Sequence, residues 1–66
     1  MQIFVNGEPK TVAEGTTAQQ LVEQLELTGK RIAMERNQSI VPRSQYAQTE
    51  LREGDRIEII HAVGGG

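Results

Sequence analysis

Thr17-Ala18-Gln19-Gln20-Leu21-Val22-Glu23-Gln24-Leu25-Glu26-Leu27 is the one stretch of this chain that reads as a helix of more than one turn; the rest reads as strand, turn, loop or at most a single helical turn. Ala18, Leu21, Val22 and Leu25 recur at i, i+3, i+4 and i+7, which lines one side of an α-helix, while Gln19, Gln20, Glu23, Gln24 and Glu26 face water. Thr17 is the expected N-cap, Gln20 completes a capping box with it, and the helix is expected to run to about Leu27 with Gly29 as its C-terminal cap. The apolar stripe is core rather than membrane contact, because a helix lying on lipid would carry Lys or Arg where this one has Glu and Gln. A single helix covers one face of a sheet and leaves the other to solvent, which decides the fold class: α+β, a mixed four- to five-stranded sheet with one helix on one face.

Upstream of the helix, Gln2-Ile3-Phe4-Val5-Asn6 alternates, with Met1, Ile3 and Val5 on one face and Phe4 among polar residues on the other. Asn6-Gly7 tolerates positive φ at both central positions of a type I′ turn, so a hairpin follows, with a second, edge strand over Lys10 to Ala13 and Pro9 at its start. Downstream, Arg31 to Arg36 predicts a third strand, Asn37-Gln38-Ser39 a turn, and Ile40-Val41 a short fourth strand stopped by Pro42. Arg43 to Ala47 fits either one helical turn or a loop, pinned to the core by Tyr46 and Leu51. Glu53-Gly54-Asp55 launches the last strand, Arg56 to about Ala62, in which Ile57 and Ile59 face one way and Glu58 and Ile60 the other.

With 66 residues the chain is expected to form one domain over 1–62 and a flexible tail over 63–66. It has no cysteine, so sulfur chemistry has to be borrowed from another molecule. Intermixed charges and a net charge of -2 argue against nucleic acid and against a polybasic membrane anchor, and the lack of a signal peptide or long apolar run points to the cytoplasm. No phosphate-binding loop and no carboxylate cluster at metal spacing occurs, so the chain is expected to bind no cofactor or metal of its own.

The last strand leads directly into Val63-Gly64-Gly65-Gly66. Glycines without a Cβ make a slim backbone that threads a narrow channel and leaves the final carbonyl unshielded, although a frayed terminus has the same composition. Phe4 and Ile60 both fall on the open sheet face. If the first and last strands lie side by side, the two form an exposed apolar spot that is either a partner site or incidental. His61, the only histidine, lies beside the tail and reads as a surface or interface residue rather than a base or ligand. Asp55 and Glu58 read as solvated, and Arg43 and Arg56 as exposed cations free to meet acidic groups on a partner.

The opening Met1-Gln2-Ile3-Phe4-Val5, the order of elements and the terminal glycines resemble the ubiquitin-like β-grasp proteins. Ile32-Ala33, Asn37, Val41-Pro42-Arg43, Tyr46, Leu51, Gly54-Asp55, Ile57-Glu58-Ile59 and Val63-Gly64-Gly65-Gly66 together are similar to the ThiS family, the sulfur carriers of thiamine thiazole biosynthesis. The resemblance spans the chain; Tyr46 stands where many relatives carry Trp.

The resemblance implies a protein co-substrate rather than an enzyme. A ThiF-type activating enzyme, using ATP and Mg²⁺, adenylates the Gly66 carboxylate; a cysteine desulfurase relay supplies sulfur to make a thiocarboxylate; thiazole synthase takes the sulfur into the ring. Gly64 and Gly65 are then the tether, and Phe4, Ile60, His61 and Val63 the expected partner contacts. A molybdopterin-type sulfur carrier, a ubiquitin-like modifier joined to lysines through Gly66, and a plain binding module are the alternatives.

Overall fold

In the computed structural model, which describes residues 1–62, the hairpin forms where the Asn-Gly pair places it. Asn6 and Gly7 take φ of 50° and 84°, so strand β1 (Gln2–Val5) turns directly into β2 (Glu8–Thr11). The second strand therefore begins at Glu8, two residues before its expected start, and Pro9 lies inside it opposite Phe4. Mutual backbone bonds between Met1 and Val12 fix the parity of this ladder. Phe4 and Pro9 fall in a non-hydrogen-bonded pair, so the missing proline donor faces away from β1 and interrupts nothing.

Helix α1 (Ala18–Gln24) carries the predicted capping box: Gln20 N–H donates to the Thr17 hydroxyl at 3.1 Å, and Thr17 N–H to the Gln20 side-chain oxygen at 2.9 Å. Its end departs from expectation. The helix stops at Gln24 rather than near Leu27, and Glu26, not Gly29, adopts the left-handed conformation at φ 59°. Glu26 N–H donates to the Glu23 carbonyl at 3.0 Å and Leu27 N–H to the Val22 carbonyl at 2.9 Å, the paired bonds of a Schellman cap. Leu27 thereby folds back against the core and shares a hollow with Val22.

Strands β3 (Ile32–Arg36) and β4 (Ser39–Val41) are joined by Asn37 and Gln38, both at positive φ. A 3₁₀ helix, Arg43–Gln48, settles the ambiguous loop and buries Tyr46 to 3 % exposure. The last strand, β5 (Arg56–His61), inserts between β1 and β3, giving the five-stranded order β2-β1-β5-β3-β4 with β1 and β5 parallel and the other neighbours antiparallel. Ile3, Leu21, Met34 and Ile57 are fully buried where α1 crosses the sheet. Each such side chain contributes about 1.5–3 kcal/mol by leaving water.

Candidate functional site

The strand that delivers the chain to its C-terminal segment is the middle strand of the sheet, held from both sides as far as Ile59 and by the β3 side from there to Ala62. Toward β3, pairing runs from Arg36↔Ile57 to Ile32↔His61, and Ala62 N–H still donates to the Arg31 carbonyl at 2.9 Å. Toward β1, strand pairing ends at Val5↔Ile57, where Asn6 continues it by other means. Asn6 N–H donates to the Ile57 carbonyl at 2.8 Å, and the Asn6 side-chain oxygen accepts from Ile59 N–H at 2.8 Å. Asn6 therefore both turns the first hairpin and holds the exit strand, a role its sequence position did not reveal.

The start of β5 is anchored by Asp55, which is only 6 % exposed and not the solvated turn residue expected. Arg36 Nε lies 2.9 Å from its carboxylate, Arg52 N–H donates to it at 2.8 Å, and the Asn37 amide donates to it at 3.1 Å. Asn37 in turn accepts from Arg56 N–H at 2.9 Å. The β3–β4 turn is thus tied to the turn before β5, which gives a physical reason for the Asn37 and Gly54-Asp55 elements of the resemblance.

On the face away from α1 lie Phe4, Arg56, Glu58, Ile60, Ala33, Glu35 and Ile40, as strand alternation requires. Ile60 is 51 % and Ile40 65 % exposed. Phe4 and Ile60 do share this open face, and β1 and β5 are neighbours, but the two side chains do not meet. Phe4 is in register with Arg56, four residues before Ile60, a separation of about 13 Å along the strand. The Arg56 guanidinium instead sits over the Phe4 ring, 5.3 Å from its centroid, so this arginine is engaged within the chain. Arg43 likewise donates to the Lys30 carbonyl at 2.9 Å. His61 is exposed but shares the parity of Ile57 and Ile59, so it belongs to the opposite face from Ile60. The expected contact residue Val63, the tether Gly64 and Gly65, and Gly66 lie outside the described residues.

Among the described residues no three His, Asp or Glu side chains come together as a metal site, and no helix is long and apolar enough to cross a membrane. What the arrangement offers is a rigid platform with one solvent-facing sheet surface and a central strand aimed at the C-terminus.

A sheet of this order crossed by one helix, with its middle strand leading to a glycine-rich end, defines a β-grasp protein of the ubiquitin-like class. The solved structure of the thiamine biosynthesis protein ThiS from Geobacter metallireducens superposes with a TM-score of 0.86 at 30% identity, each chain covered in full. The sequence profile of the ThiS family matches residues 3–66, and the chain belongs to that family, the sulfur carrier proteins of thiamine biosynthesis. It is 39% identical to the sulfur carrier protein ThiS of Escherichia coli over the full length of both. It is also 41% identical over 66 residues to a thiazole synthase of Magnetococcus marinus, of whose length it spans only 20%. The molybdopterin-type alternative gives way to this assignment.

Proposed function

We propose that the protein carries sulfur on the α-carboxyl group of Gly66, as a co-substrate with no catalytic machinery of its own, in the cytoplasm. The carboxylate attacks the α-phosphorus of ATP on a ThiF-type activating enzyme, which releases pyrophosphate and leaves an acyl adenylate. ATP and Mg²⁺ belong to that partner's site. A persulfide from a cysteine desulfurase relay displaces AMP, and a thiol cleaves the resulting acyl disulfide to a thiocarboxylate, the thiol being oxidised to a disulfide. Thiazole synthase then accepts the sulfur.

The observation that carries this reading is the exit of the central strand. Hydrogen bonding holds the backbone as far as Ala62, and four further residues reach at most about 14 Å, so a partner docked on the sheet finds the carboxylate within a short, defined radius. Gly64-Gly65 passes through a narrow channel because no side chain obstructs it, and the adenylate makes a poor acyl donor reactive. A thiazole synthase that contains a region matching the whole of this chain supports that enzyme as the acceptor.

Deleting Gly66, or adding one residue after it, should abolish adenylation by the activating enzyme while leaving the melting temperature unchanged, because the described core contacts stop short of it. Incorporation of AMP into the extended chain, followed with labelled ATP, would contradict the assignment.

A further inference from the structure

In a parallel ladder the hydrogen bonds from one strand recur at every second residue. Phe4 N–H donates to the Asp55 carbonyl at 2.9 Å and Asn6 N–H to the Ile57 carbonyl at 2.8 Å, so the next rung falls at Ile59. A continuing strand would offer Ile59 N–H a main-chain carbonyl, but Asn6, at φ 50°, has already begun the turn into β2. The Asn6 side-chain carbonyl supplies the rung instead, accepting from Ile59 N–H at 2.8 Å across 53 residues of sequence. Few side chains can do this. The position needs tolerance of positive φ together with an acceptor carried close to the backbone, a combination that Asn and Asp share. From Ile60 to Ala62 the described bonds of β5 run to β3 alone, so the Asn6 rung is the last tie on the β1 side before the C-terminal segment.

We propose that Asn6 is a positioning residue for activation of the C-terminal carboxylate, its side-chain carbonyl setting the direction in which β5 leaves the sheet. The inference rests on the reading above that Gly66 is adenylated. Held from β3 alone, the strand end can swing about that single ladder, and the swing is carried along the seven residues that lead from Ile59 to Gly66. Held from both sides at Ile59, it sweeps a smaller volume while the carrier is docked. The docking contacts of the rest of the platform are the same in either case. What changes is the fraction of time the carboxylate lies in line with the phosphorus it attacks, and a misplacement of about 1 Å costs up to about a hundredfold in rate. The effect of Asn6 therefore belongs in kcat rather than in KM.

The test compares the wild-type chain with Asn6→Gly, Asn6→Asp and Val12→Ala. Asn6→Gly keeps a residue at ease with φ 50° and removes the acceptor, whereas Asn6→Asp keeps both. Val12→Ala is the stability control: it removes buried core surface away from β5. Two quantities are read well below the melting temperature: amide hydrogen exchange in the free protein, and kcat and KM for adenylation by the purified activating enzyme with ATP. For Asn6→Gly the proposal expects exchange at Ile59 to speed up about tenfold more than at the buried Leu21 and Met34, and kcat to fall about fivefold with KM within about twofold of wild type. Asn6→Asp should bring both readings back to within about twofold of wild type. Val12→Ala should lower the melting temperature while leaving kcat unchanged. An unchanged kcat in Asn6→Gly, no recovery in Asn6→Asp, or an equal loss of kcat in Val12→Ala would each overturn the proposal. A wild-type chain that accepts no AMP overturns the functional reading and this inference with it; a wild-type chain that is adenylated no faster than Asn6→Gly overturns the inference alone.

Discussion

Asp55 organises more of this molecule than any other polar residue. Its carboxylate takes hydrogen bonds from Arg36, Arg52 and Asn37, and together with the Asn37–Arg56 bond these join the β3–β4 turn to the start of the strand that leads to the C-terminus. Asp55→Ala leaves a partly buried arginine side chain and two further donors without their acceptor, and should lower stability by about 2–3 kcal/mol. In a domain of this size that is a fall of roughly 10–20 °C in melting temperature, measurable by thermal or urea denaturation. A loss below about 0.5 kcal/mol would mean that water replaces the network without penalty. The sequence reading placed Asp55 in a solvated turn because Gly54-Asp55 looks like an ordinary turn, and Asn37, its partner, lies 18 residues away. Local pattern registers chemistry within a few positions; it does not register which distant turn arrives beside it. The same limit hid Asn6, whose bond to Ile59 spans 53 residues.

At the scale of elements, legibility followed the strength of local rules. The Asn-Gly hairpin, the Thr17–Gln20 capping box and the inward Ile57 and Ile59 were readable because each depends on backbone geometry or on a period of two or four residues. The end of α1 was not. Glycine is the residue that most comfortably takes a left-handed cap, so Gly29 drew the expectation. The position is instead decided by Leu27, which must fold back onto the core and which puts Glu26 at φ 59°. An exposed glutamate in that conformation carries strain of about 1 kcal/mol. Glu26→Gly is therefore expected to stabilise the protein by roughly 1 kcal/mol and raise its melting temperature by about 4–8 °C. A drop would show that the loss of chain entropy in the unfolded state matters more than the relief of strain.

At the scale of the whole molecule, the sheet order determines where the C-terminal segment leaves the fold. Because β5 is central, the platform cannot shift without breaking pairing on two sides, and the C-terminal segment leaves from a fixed point. That register also separates Phe4 from Ile60 and assigns the first to a stacked arginine, so the apolar character of the open face is carried by Ile60, Ala33 and Ile40 rather than by the predicted pair. The sequence made the open face and its strand parity legible; it did not supply the register, because register depends on where Asp55 and Asn6 lock β5 against β1. Fold and family agree on a β-grasp sulfur carrier whose central strand leads to the C-terminal segment.

The central claim is tested most directly by the intact mass of the protein after incubation with the activating enzyme, ATP, a persulfide donor and a thiol. The account predicts that one oxygen is replaced by sulfur, that fragmentation locates the change at Gly66, and that omitting ATP prevents it. A mass unchanged under conditions in which the E. coli carrier is converted, or a stable adduct of this chain with lysines of another protein, would contradict it.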